Sequence, residues 1–160
     1  MKFAPLPPQD VLLATFRYDA ASGEITRVSD GKSVGSRTAE GYRHVYVAGR
    51  TYQAHRVIWK MVYGVDPYII DHADRDRANN RLSNLREASR SENGANSRVY
   101  RSNRSGFKGV FWDNFAKKWR ADTNFNGKKV FLGRFNTKEE AAAAYEEKVR
   151  ELFWEFARVA

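Results

Sequence analysis

Large side chains from Gly41 to Val47 (Gly41–Tyr42–Arg43–His44–Val45–Tyr46–Val47) alternate with a period of two, the mark of a half-buried strand. Thr51–Gln53 follows across the turn Ala48–Gly49–Arg50, and Phe16–Tyr18 and Glu24–Arg27 flank Ala20–Gly23. The first third of the chain therefore predicts short strands broken by turns. At Ala54 the period lengthens. Val57, Ile58, Met61 and Val62 recur at helical spacing up to Tyr63, and Gly64 stands where a helix would end. After Pro67 the triplet Tyr68–Ile69–Ile70 predicts a short strand ending at Asp71–His72. Ala73 to Asn84 is polar, with Asn79–Asn80 as turn chemistry, and reads as a loop. Ser89 and Glu92 form the Ser-x-x-Glu pattern that opens a short helix.

Gly94 to Arg104 contains no acid and three arginines, Arg98, Arg101 and Arg104, so it reads as a cationic linker. Extended, it reaches about 35 Å. Apolar patterning resumes at Ser105. Strands are predicted near Gly109–Trp112, Lys118–Asn124 and Lys128–Gly133, the last two joined by the tight turn Asn126–Gly127. Thr137 and Glu140 repeat the capping pattern before an alanine-rich helix, from about Lys138 to Leu152.

Composition narrows the partners. An apolar share of 42% with 14% aromatics supports packed cores. With 28 Lys and Arg against 19 Asp and Glu, the net charge is +9, which favours phosphate backbones or anionic lipid. No apolar run approaches the roughly 20 residues of a membrane span, and the N-terminus lacks a secretory pattern. Nucleic acid is the partner that remains. The chain has no cysteine, so disulfides and thiolate zinc sites are excluded, and any metal must sit on oxygen or imidazole. A cytosol-like compartment is expected, and no obligate protein partner is evident.

Candidate chemistry gathers between residues 71 and 93. Phosphodiester hydrolysis needs a base for water and a cation for the developing charge. His72 is a base near neutrality without heavy tuning. Asp71 and Asn93 offer hard oxygens suited to Mg²⁺ or Mn²⁺, one ion per chain, and Asn84 is placed to accept the second ring N–H of His72. Adjacent strand residues point to opposite faces, so the pair is expected where the strand breaks into its loop. An isolated Asp-His pair would be a solvated turn. His44 and His55 read as packing or capping residues, and Asp74 and Asp76 as a charged loop.

His55–Arg56–Val57–Ile58–Trp59, Ile70–Asp71–His72–Ala73–Asp74, Asn79–Asn80–Arg81–Leu82–Ser83–Asn84–Leu85–Arg86 and Glu92–Asn93 resemble the HNH endonucleases of phages and intron-borne homing enzymes. The resemblance spans roughly Ala54 to Asn96. It implies a ββα-metal core with Asp71 and Asn93 as metal ligands, His72 as general base and Asn84 orienting it. It also implies products with 5′-phosphate and 3′-hydroxyl ends.

Ser105–Gly106–Phe107–Lys108–Gly109–Val110, Lys118–Trp119–Arg120–Ala121, Leu132–Gly133–Arg134–Phe135 and the helix opening at Thr137 resemble an AP2 domain over about Ser105 to Ala157. That family implies a three-stranded antiparallel sheet packed on one helix, its open face in the major groove. Alternation puts Trp119, Ala121, Thr123, Val130 and Leu132 inward. Arg120, Asp122, Asn124, Lys129 and Phe131 face outward. The expected DNA contacts are Arg120, Asn124, Lys129 and Phe131, Phe111 or Trp112, and the linker arginines Arg98, Arg101 and Arg104.

The fold class is thus α+β: a β-rich N-terminal part with an HNH core over residues 1–96, a basic linker 97–104, and an AP2-like module 105–160. The expected activity is metal-dependent cutting of double-stranded DNA by a homing-type nickase or double-strand cutter. It would act in the host cytoplasm if phage-encoded. The principal alternative is a non-catalytic DNA-binding regulator, and a weaker one a ribonuclease.

Overall fold

The computed structural model describes residues 4–100 and 102–157, and divides the chain into two units between Ala88 and Ser89. The first opens on helix α1 (Gln9–Thr15), which buries Leu12 and which no apolar period announces in the sequence. Strands β1 (Phe16–Asp19) and β2 (Glu24–Arg27) form an antiparallel hairpin, Phe16 opposite Arg27. A three-stranded sheet follows in the order β3 (Ser36–Arg37), β4 (Arg43–Val47), β5 (Arg50–Gln53). Ala48 and Gly49 both take positive φ, 50° and 76°, as a two-residue hairpin turn requires. β5 runs directly into helix α2 (Ala54–Tyr63), which Gly64 ends at φ 76°.

Helix α2 buries Val57, Ile58 and Met61, as the helical spacing predicts, while Val62 stays exposed. These three pack with Leu12, Phe16, Ile25, Val45 and Val47 into one apolar core. Strand β6 (Ile70–His72) pairs antiparallel with β7 (Leu85–Glu87), and Ile70 and Leu85 anchor that hairpin to the same core. The strand ends at the Asp-His pair, where the sequence expects it to break into its loop, and a turn begins at Ala73. β6 runs through Asp71 opposite Arg86 and ends on His72 opposite Leu85.

The second unit begins with α3 (Arg90–Asn96). Ser89 Oγ accepts from Glu92 N, and Glu92 accepts from Ser89 N at 2.6 Å, so the predicted capping box is complete. Strands β8 (Val110–Asp113), β9 (Lys118–Phe125) and β10 (Lys128–Phe135) form an antiparallel sheet with β9 in the middle. Asn126 and Gly127 carry the φ values of the predicted tight turn, 49° and 76°. Helix α4 (Lys138–Phe153), capped by Thr137 and Glu140, lays Ala141, Tyr145 and Val149 against Val110 and Ala121. Gly109 sits at φ 69° under Tyr145, and a Cβ there would run into the Tyr145 ring and the Asp122 carbonyl. Only glycine lets strand and helix approach this closely.

Sequence alone puts α3 with the first domain, ahead of a free linker. In the structure Ala95 of α3 lies in the core of the second unit. The Lys108 ammonium donates to the carbonyls of Gly94, Ala95 and Ser97 at 2.5, 2.6 and 2.9 Å, capping the end of that helix. Among the described residues, no helix is long and apolar enough to cross a membrane.

Candidate active site and nucleic-acid interface

His72 ends β6 with its ring buried, 4% exposed. Its Nε2 lies 3.0 Å from Asn80 Oδ1. An amide oxygen only accepts, so Nε2 carries the proton and the basic lone pair is on Nδ1. Burial pushes the His72 pKa down, against the bond from Asn80 and the charges of Asp71, Asp74 and Asp76, so the ring is neutral near neutral pH. His55, on the first turn of α2, meets it edge-on with centroids 5.0 Å apart, and Tyr42 stands 5.4 Å from His55 and 6.2 Å from His72.

The residue on the histidine is therefore Asn80, not Asn84. Asn84 Oδ1 accepts from Asp74 N at 2.9 Å, and its Nδ2 donates to Asp74 Oδ1 and the Asn79 carbonyl, both at 2.8 Å. Its carboxamide ties the loop after β6 to itself. Asn79 adds a bond of 2.6 Å to Asp74 Oδ2. Asp74, read from sequence as a solvated loop acid, is the hub of this network. Asn80 is 2% exposed, and its carbonyl accepts from Tyr18 Oη at 2.8 Å. Gly23, at φ 79°, presses on the same backbone: a Cβ there would lie 2.5 Å from Arg81 N and 2.6 Å from the Asn80 carbonyl carbon.

Asp71 is held across the hairpin. Its Oδ2 accepts from Arg86 Nε at 3.1 Å and Nη2 at 3.0 Å, which fixes a carboxylate only 6% exposed. Asn93 lies on α3, in the second unit, and is exposed. Among the described residues no three His, Asp or Glu side chains cluster as a ready metal centre. The Asp71 carboxylate, in a chain with no thiolate, is a hard oxygen donor of the kind that suits a cation keeping most of its water.

His55 is buried with no hydrogen-bond partner for Nδ1, and burial, with the charges of His72, Arg56 and His44, holds its pKa well below the ordinary 6.5. The unfolded chain takes up this proton below pH 6.5 and the folded chain does not, so stability falls as pH drops through that value. Urea unfolding of the first unit is expected at lower midpoint at pH 5 than at pH 7.5, with the difference reduced in His55→Phe. An unchanged difference would clear His55 of the effect.

In the second unit the face of the sheet away from α4 carries alternating rings and cations. The Arg120 guanidinium lies 5.5 Å from the Phe111 ring centroid and 4.9 Å from that of Phe131. Lys129 covers Phe111 at 5.3 Å, and Arg134 covers Phe131 at 5.4 Å. Asp122 is the acid at the centre, with Arg120 at 3.1 Å and Lys129 at 2.8 Å. Asn124 is exposed on the same face. Trp112 is not part of it: it pairs with Trp119 on the opposite face, edge-on at 5.3 Å. Arg98 and Arg104 are exposed, and Arg101 lies outside the described residues. Sequence reasoning missed Arg134, because a bulge between Phe131 and Gly133 shifts the parity of β10 and brings Arg134 outward opposite Arg120.

Comparison with known proteins bears on this arrangement. Residues 52–95 match the HNH endonuclease family. The chain is 35% identical to Protein 3.8 of Escherichia phage T7 over 74% of its own length and 97% of that protein. It is 33% identical to an uncharacterized HNH endonuclease, L560, of Acanthamoeba polyphaga mimivirus, over 73% of its own length and 61% of that protein. A solved structure concerned with DNA binding and cleavage by the HNH homing endonuclease I-HmuI is 25% identical, with TM-score 0.38, over 46% of each chain. The chain belongs to the family of phage T7 Protein 3.8, and residues 52–95, which carry α2, β6 and β7, match the HNH endonuclease family.

Proposed function

We propose that this protein hydrolyses phosphodiester bonds in duplex DNA, with His72 as the general base. The observation that carries the reading is a buried imidazole whose Nε2 lies 3.0 Å from Asn80 Oδ1, next to a carboxylate held by Arg86. His72 Nδ1 takes a proton from the attacking water. Asn84 keeps the loop closed so that Asn80 stays on the ring. By the resemblance to HNH enzymes, Asp71 would be a ligand of one Mg²⁺ or Mn²⁺. When bound, such an ion stabilises the charge that develops on the phosphate and the departing 3′ oxygen. The products are 5′-phosphate and 3′-hydroxyl ends, as that resemblance implies.

The second unit serves as the DNA-holding part. Its three-stranded sheet on one helix agrees with the AP2-like reading, and its outer face carries Arg120, Lys129 and Arg134 among Phe111 and Phe131. Arginines and lysines there take phosphates or guanine edges, and the rings pack on sugars or thymine methyls. A homing-type role, acting in the cytoplasm of a phage host, fits the phage relative.

The test is supercoiled plasmid incubated with the full chain in Mg²⁺, in Mn²⁺ and in EDTA. Nicked or linear plasmid is expected with metal alone. Plasmid left intact in both metals, with binding retained, would leave the protein a non-catalytic binder. Binding itself is expected to weaken steeply between low and physiological salt.

A further inference from the structure

The turn that joins β8 to β9 carries the most exposed large apolar side chain among the described residues. Phe115 is 98% exposed. A single apolar residue on a surface is ordinary; three features set this one apart.

The turn is rigid. Asp113 Oδ1 accepts from the backbone N–H of Phe115 and of Ala116, both at 3.0 Å. Asp113 Oδ2 accepts from Arg134 Nε at 2.8 Å, which ties the turn to the far strand β10 across β9. The ring therefore projects from a turn whose backbone is hydrogen-bonded to the sheet. The tip is also cationic. Lys117 and Lys118 follow the ring, both exposed, and Asp113, the acid of this turn, is matched by Arg134. Finally, the turn continues the open sheet face: Phe111 and Asp113 lie on one side of β8, and the rings of Phe111 and Phe131 there are already covered by cations. An apolar protein groove would suit the ring but not its lysines. A polyanion with stacked, apolar steps suits both.

We infer that Phe115 is a wedge that enters a base step of duplex DNA beside the sheet's footprint, so that binding unstacks and unwinds the helix there. Aromatic and aliphatic wedges of this kind kink DNA and exchange stacking for a bent duplex that meets more protein surface. The inference rests on the proposed DNA-binding role of the second unit and adds the deformation that role would impose.

The experiment uses the full chain on relaxed closed-circular plasmid with a type IB topoisomerase, in EDTA so that no metal-dependent cutting intervenes. Unwinding by bound protein leaves negative supercoils after the protein is removed. The wild type is expected to shift the linking number in proportion to protein bound, as measured by mobility shift. At equal occupancy Phe115→Ala is expected to lose most of that shift and Phe115→Trp to keep it. Affinity of Phe115→Ala for a short duplex is expected to fall roughly tenfold (about 1.4 kcal/mol). The slope of affinity against salt should not change, because no cation is removed. Since the ring is solvent-exposed, thermal melting of the variant should match the wild type. If Phe115→Ala unwinds DNA as well as the wild type, or the wild type binds without unwinding, the wedge is wrong and the DNA-binding role survives. If the wild type fails to bind duplex even at low salt, both fall.

Discussion

Replacing His72 by alanine is expected to slow metal-dependent plasmid cutting by about 10²- to 10⁴-fold, the usual contribution of a positioned general base. The argument rests on where the proton sits. A ring locked with Nε2–H toward Asn80 keeps its lone pair on Nδ1, and its lowered pKa keeps that lone pair unprotonated at neutral pH. Alanine removes the base and leaves water to deprotonate itself. DNA affinity measured in EDTA should stay within a few-fold of wild type, since one buried neutral ring adds nothing to phosphate contact. The decisive comparison is the initial rate of supercoil loss at saturating protein in Mn²⁺. Cutting within threefold of wild type would remove His72 from the reaction.

The second large effect concerns Asn80, which the sequence presents only as half of an Asn-Asn turn. Asn80→Ala is expected to cost about 10- to 100-fold in cutting, the range seen when a group that orients a reactive histidine is lost. It should also destabilise the first unit by about 1–3 kcal/mol, because the buried His72 N–H loses its acceptor. A rate loss alone could come from disorder, so the tautomer is the sharper readout. Nitrogen NMR of the wild type should show His72 protonated at Nε2, and the variant a mixture of tautomers. Asn84→Ala opens the loop network around Asp74, and its effect should run through loop order. Should Asn80→Ala retain both the wild-type rate and a single Nε2–H tautomer, the orienting role would have to move elsewhere.

What the sequence disclosed and what it hid follow from the range of the forces involved. Helix α2, both capping boxes and the turns at 48–49 and 126–127 were legible because each is set by residues a few positions apart. Strand β7 was not. Leu85–Arg86–Glu87 has no alternating pattern of its own and is a strand because β6 pairs with it. Two-residue β3 is hidden for the same reason. In the site, the positions of Asp71, His72 and Asn84 were readable as a spaced polar set. The partner of each side chain was not, because two asparagines four residues apart in one loop have the same chemistry. Only the folded loop shows Asn80 turned to the ring and Asn84 turned to Asp74. The outer sheet face was readable by parity up to the bulge in β10, beyond which parity misplaces Arg134.

The loop that holds Asn80 leans on residues about sixty positions earlier. Tyr18 Oη donates to the Asn80 carbonyl, Arg81 Nε donates to the Ala21 carbonyl at 2.9 Å, and Leu82 N donates to the Ala20 carbonyl at 3.2 Å. The stretch 52–95 thus contains every recognisable motif residue up to Asn93 yet lacks the wall that shapes them. Transplanted by itself into another scaffold, it would carry the signature of a nuclease without the means to hold its histidine in register. Amide exchange in the loop should likewise track the opening of the β1–β2 hairpin, because the two share those bonds.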